Sequence, residues 1–146
     1  MSINQRNKGK NFELQVAKEL YAELGIKVER NLEQYRHADH GDLIGLPFTI
    51  ECKAYKSGHW KPEWWGQVKI ASAFTGLPPI LIYKINYRPI MVVLELKLIN
   101  RNFVDKSDVV EVSFDTFCMI AREELAAIEE FCRDKSEPAL EKRNEN

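Results

Sequence analysis

The longest uninterrupted apolar run in the chain is Leu77-Pro-Pro-Ile-Leu-Ile-Tyr83. It is far shorter than the roughly 18 residues a membrane span needs, and it is the length of a strand. The expectation is a chain with no membrane partner whose core is built on a β-sheet. The 146 residues fit one domain, and 45% hydrophobic with 29% charged residues is ordinary globular usage. That balance excludes a wholly disordered chain, a collagen-like chain and a disulfide scaffold.

Helical periodicity brackets the strands. Phe12, Val16, Leu20 and Leu24 recur every four residues, with Ala17 and Tyr21 beside them, so residues 8–25 read as an amphipathic helix ended by Gly25. Ile26 to Arg30 is a strand candidate, and residues 31–41 are a polar loop. Asp42-Leu-Ile-Gly and Phe48-Thr-Ile-Glu-Cys-Lys-Ala54 read as adjacent antiparallel strands around a Gly45–Pro47 turn. Residues 63–76 form a second helix with Trp64, Val68, Ala71 and Phe74 inward, stopped by Gly76 and Pro78-Pro79. Ile80–Ile85 and Ile90–Leu96 are strands joined by Asn86-Tyr-Arg-Pro89, and Val109–Val112 is an edge strand. A third helix covers 114–132, capped by Ser113 or Asp115. The expected fold class is α/β, a mixed sheet flanked by helices, with one domain over 1–132 and a flexible tail over 133–146.

Net charge is −1, but its distribution is uneven. Residues 1–104 hold 15 basic and 10 acidic side chains, and residues 105–146 hold 6 and 12. The three cysteines, Cys52, Cys118 and Cys132, form no C-x-x-C pair. With no secretory signal at the N-terminus, they point to a cytoplasmic, reducing location.

The chemistry concentrates on the strand 48–54. Alternation puts Phe48, Ile50, Cys52 and Ala54 on one face and Thr49, Glu51, Lys53 and Tyr55 on the other. Glu51 and Lys53 therefore project together, about 6–7 Å apart along the strand. A hairpin brings Asp42 beside Glu51, and two carboxylates that close repel unless a cation lies between them. Mg²⁺ suits such a site, because it takes one or two carboxylates and keeps several waters. Lys53 can then orient water or stabilise charge building on a phosphate oxygen. Glu13, at the edge of the first helix's apolar stripe, can reach the same place. A plain cross-strand ion pair on a solvated face accounts for the spacing equally well.

The order of motifs around this constellation is more specific. Asp42…Glu51-Cys52-Lys53 resembles the PD-(D/E)xK nuclease motif. Lys8-Gly9 with Glu13, the Gly25 helix end, Asp42-Leu-Ile, Gln67-Val68 and Gly76-Leu-Pro-Pro79 follow the pattern of archaeal-type Holliday junction resolvases, a group with phage-encoded members. The match spans residues 7–95. Gly41 stands where the family has proline, and Leu14 where it has arginine.

The resemblance implies a restriction-endonuclease-like fold and a homodimer that cuts opposed strands of a four-way DNA junction. It implies that Glu13, Asp42, Glu51 and the Cys52 backbone carbonyl bind Mg²⁺, with Mn²⁺ as a substitute. Lys53 would position the attacking water, Gln67 would support the site, and the product would carry a 5′-phosphate. A nuclease acting on duplex or flap DNA, or a non-catalytic DNA-binding module on the same fold, are the alternatives. Arg6, Lys8 and Lys10 form a basic N-terminal arm suited to phosphates, and Arg30, Arg36 and Lys56 extend it. Lys61 and Lys69 are further candidates. His37-Ala-Asp39-His40 reads as a DNA-contacting loop rather than a zinc site. Trp60, Trp64 and Trp65 lie so close together that one is expected to be exposed.

Overall fold

A computed structural model describes residues 2–32, 41–104 and 108–144, the last stretch by its backbone alone from residue 136 onward. The elements run α1 (Ile3–Leu24), β1 (Glu29–Arg30), β2 (Leu43–Ile44), β3 (Thr49–Tyr55), α2 (Pro62–Thr75), β4 (Pro79–Ile85), β5 (Met91–Glu95), α3 (Leu96–Ile99), β6 (Val109–Ser113) and α4 (Phe114–Asn144). Six strands form one sheet in the order β1-β2-β3-β4-β5-β6. Only β3 and β4 pair in parallel, with Glu51 opposite Leu81 and Lys53 opposite Tyr83; the other pairings are antiparallel. A parallel pair needs a crossover, and α2 supplies it.

The sheet has helices on both faces. Phe12, Val16, Ala17 and Leu20 of α1 pack with Phe117, Cys118 and Ala121 of α4 over Ile50, Cys52, Ala54, Ile80 and Ile82. Trp64 and Val68 of α2 cover Leu81, Tyr83 and Val93 on the other face. Each of the valine, leucine, isoleucine and phenylalanine side chains among them, once fully buried, contributes roughly 1.5–3 kcal/mol. The expected alternation in β3 is realised, since Ile50, Cys52 and Ala54 all lie in the α1 face. The α/β class with a mixed sheet flanked by helices is the observed architecture. Among the described residues, no helix is long and apolar enough to cross a membrane.

Several boundaries differ from expectation. The basic segment is helix rather than arm: α1 starts at Ile3, and the Ser2 hydroxyl accepts the Gln5 amide as its cap. A polar stretch without apolar periodicity hid this turn. Phe74, expected inward, is 67% exposed, because α2 buries only Trp64, Val68 and Ala71. Leu96 leaves the strand and begins α3. The helix expected to end at 132 continues to Asn144, capped at its start by Ser113, whose hydroxyl accepts the Thr116 amide. None of the three tryptophans is exposed: Trp64 is buried, and Trp60 and Trp65 pack partly buried against its cluster.

Candidate active site

Short strands place the acidic pair. The β2–β3 connection turns at Gly45, whose φ of 123° puts a hypothetical Cβ 2.5 Å from the Lys27 carbonyl oxygen. Only glycine fits there. The returning strand sets Leu43 opposite Ile50. The Asp42 amide donates to the Ile50 carbonyl at 2.7 Å, and the Cys52 amide donates to Asp42 Oδ2 at 2.7 Å. Asp42 is thus clamped at the edge of β3 by backbone on both sides. Gly41, just before it, has a φ of 80° and lies against the Ile50 backbone. Proline, fixed near −65°, cannot adopt that conformation, which accounts for the departure from the resolvase pattern at this position.

Asn31 anchors the other side. Its amide donates to the Asp42 carbonyl at 2.8 Å, and its side-chain Nδ2 donates to the Gly41 carbonyl at 3.0 Å. Asn31 is buried, and nothing in the local sequence marked it. The contact joins residues on two sides of a loop, a pairing that no spacing rule reads.

Glu51 is 3% exposed and Asp42 9%. A solvated-face ion pair is therefore not what the strand carries. Burial pushes the Glu51 carboxyl up from its ordinary value, the Asp42 charge and a side-chain hydrogen bond with Asp42 push it further, and Lys53 opposes the rise. The Glu51 carboxyl therefore keeps its proton to higher pH than an exposed glutamate does. Glu13 is also raised, first by burial, while its hydrogen bond with Arg30 lowers it. Arg30 Nε lies 2.7 Å from Glu13 Oε2, with both side chains largely covered.

Glu13, Asp42, Glu51, Cys52, Lys53 and Gln67 all line one cleft of about 460 Å³. Arg6, Lys10 and Arg30 line it as well. Lys8 does not: its Nζ donates to Asn86 Oδ1 at 2.9 Å on the other flank of α1. Lys56 is exposed in the β3–α2 loop, and Arg36, His37, Asp39 and His40 lie outside the described residues. Among the described residues, no three acidic, histidine or cysteine side chains converge tightly enough to hold an ion by themselves. The tight part of the site is the Asp42–Glu51 pair, with Glu13 held by Arg30. Two buried carboxyl groups side by side in a partly open cleft fit a divalent cation that keeps its own waters, since the cation offsets the charge that burial leaves unsolvated.

The family model described as "Phage putative PDDEXK endonuclease" matches residues 4–132. The chain belongs to this family. It shares with the family a nuclease assignment, and the matched span holds every residue of the cleft. Hjc, a Holliday junction resolvase from the archaeal hyperthermophile Archaeoglobus fulgidus, is a solved structure similar to this chain. It has 14% identity and a TM-score of 0.47, over 74% of this chain and 85% of that one. Among curated proteins, none matches.

Proposed function

We propose that this protein is a Mg²⁺-dependent endodeoxyribonuclease that resolves four-way DNA junctions as a homodimer. The observation that carries the reading is the buried Asp42–Glu51 pair sharing one cleft with Lys53, in a chain of an endonuclease family. Burying two carboxylates side by side is costly, and a fold that only bound DNA would gain nothing from it. Asp42, Glu51 and the Cys52 carbonyl would hold the ion, and Mn²⁺ would fit the same donors. When bound, the ion would polarise the phosphodiester and lower the pKa of a water. Lys53 brings its amino group into the cleft, where it orients water and stabilises charge on the phosphate oxygens. Gln67, exposed on α2, offers an amide to the same water or phosphate.

Arg6 and Lys10 at the cleft rim, with Arg30, supply phosphate contacts; Lys8, Arg36 and Lys56 extend the basic surface. Junction preference follows from the ordered motifs over residues 7–95. A twofold dimer matches the pseudo-twofold symmetry of a junction and places two clefts on opposed strands.

A fixed four-way junction and a linear duplex of the same sequence, incubated with Mg²⁺, test the reading. Paired symmetric cuts in the junction alone are expected. Asp42→Asn and Glu51→Gln should abolish cutting and the calorimetric Mn²⁺ signal while leaving junction affinity within about threefold, because phosphate contacts carry most of it. Equal cutting of duplex and junction discards junction selectivity. Sedimentation that gives a monomer on the junction discards the dimer.

A further inference from the structure

On the flank of α1 away from Glu13 lies a second cleft, of about 410 Å³. Asn4, Asn7, Asn11 and Gln15 recur at three- and four-residue steps, so their amides share one side of the helix. All four are exposed. Buried Phe12 and Ala54 form an apolar floor, and Ala54 also lines the cleft that holds Glu51. Lys8, whose ammonium donates to Asn86, and Lys84 stand at its border. Among the described residues, no carboxylate lines it. The clefts around Glu95 and Glu124, around Glu111, and around Glu19 and Asp115 all carry acidic groups.

An apolar floor, a row of amides and two flanking cations form a combination suited to a nucleotide. The floor takes a base face, amides pair with base edges in both donor and acceptor senses, and ammonium groups meet the phosphate. The size suits a small ligand rather than a duplex. The first turn of α1 separates the two clefts, with Asn4 on one side and Gln5 and Arg6 on the other. A strand rounding that turn can occupy both. We infer that the amide cleft holds one unstacked nucleotide of the cleaved strand, at a short distance from the cut, and reads its base. The inference rests on the nuclease reading above and adds to it a base-discriminating subsite. Asn7 and Asn11 are its positioning residues; they touch the nucleotide and not the reacting phosphate.

The test pairs the wild-type protein with Asn7→Ala/Asn11→Ala, a change that replaces two weak helix formers with the strongest one on a solvated face. Junctions carrying 2-aminopurine at successive positions of the cut strand are bound without metal. One position should brighten with the wild-type protein as its base leaves the stack, and should lose most of that rise with the double variant. Cleavage of substrates carrying each of the four bases at that position should differ by at least about fivefold in kcat/KM for the wild-type protein and by under about twofold for the variant. The salt slope of binding should not move, because amides release no counterions. No brightening position, or the same brightening and base discrimination in the variant, overturns the inference while leaving the nuclease intact. A wild-type protein that cuts no DNA overturns the nuclease reading, and the inference with it.

Discussion

Glu51 sits where chemistry and stability conflict. Its carboxyl is covered, hydrogen-bonded to Asp42, and raised above the usual carboxylate range by burial before any other cause. In the unfolded chain the same group ionises near 4.5. At pH values above that point but below the folded value, the folded protein keeps a proton the unfolded chain has released. Folding stability therefore falls as pH rises through this window. Asp42, Glu13 and Lys53 face the group, with Lys53 opposing the rise only in part. The metal-free protein should show a falling Tm from about pH 5 upward toward neutrality, where this contribution is lost. Glu51→Gln should flatten that slope, and Mg²⁺ at neutral pH should raise the wild-type Tm while leaving the variant unchanged. A Tm that climbs with pH in the metal-free wild type would mean that Glu51 does not keep its proton. This residue was legible in the sequence because a single alternating strand sets its face. The partner of Glu13, Arg30, was not, since the Glu13–Arg30 contact joins α1 to β1 across 17 positions and leaves no local pattern.

At the scale of elements, the site divides into two parts. Asp42, Cys52, Glu51 and Lys53 belong to the β2–β3 hairpin, fixed by backbone hydrogen bonds; Glu13 rides on α1, held by side-chain packing. The hairpin, the crossover helix α2 and the edge strand β6 were all readable, because alternation, glycine caps and prolines act over short stretches. The start of α1 and the outward position of Phe74 on α2 were not. The first depends on a lone Ser2 cap, and the second on which helical face the parallel β3–β4 pair can accept, which leaves Phe74 outside. This division predicts a separable outcome. Leu20 is fully buried two turns beyond Glu13, so Leu20→Ala should cost about 2–5 kcal/mol in chemical denaturation. Mn²⁺ affinity, measured by calorimetry under conditions where the variant is folded, should stay close to wild type, because the hairpin holds the ion. A loss of affinity in step with stability would show instead that α1 delivers a metal ligand.

Across the whole molecule, the two ends of the chain carry opposite charge. The surplus of basic residues lies in 1–104 and the surplus of acidic ones in 105–146, so a net charge of −1 conceals an uneven distribution along the chain. The cleft with Asp42 and Glu51 collects Arg6, Lys10 and Arg30 at its rim, while α4 carries Glu123, Glu124, Glu129 and Glu130. A polyanion approaching such a protein is drawn to one side and repelled from the other, which orients it before any specific contact forms. The rim cations then displace counterions from the DNA, and each phosphate neutralised steepens the salt dependence. Arg6 and Lys10 are exposed on the first helical turns and, among the described residues, have no hydrogen-bond or ion-pair partner to lose, so Arg6→Ala/Lys10→Ala should leave the Tm nearly unchanged. The slope of log K against log salt for junction binding should become shallower by about 2 for each cleft engaged. Removing the same number of charges from Lys18 and Lys27, exposed on α1 and the α1–β1 loop outside the cleft lining, should move the slope far less if the field is local. Equal slopes for the two pairs would mean that DNA meets the basic half as a diffuse surface, and the cleft would lose its claim to the phosphate path.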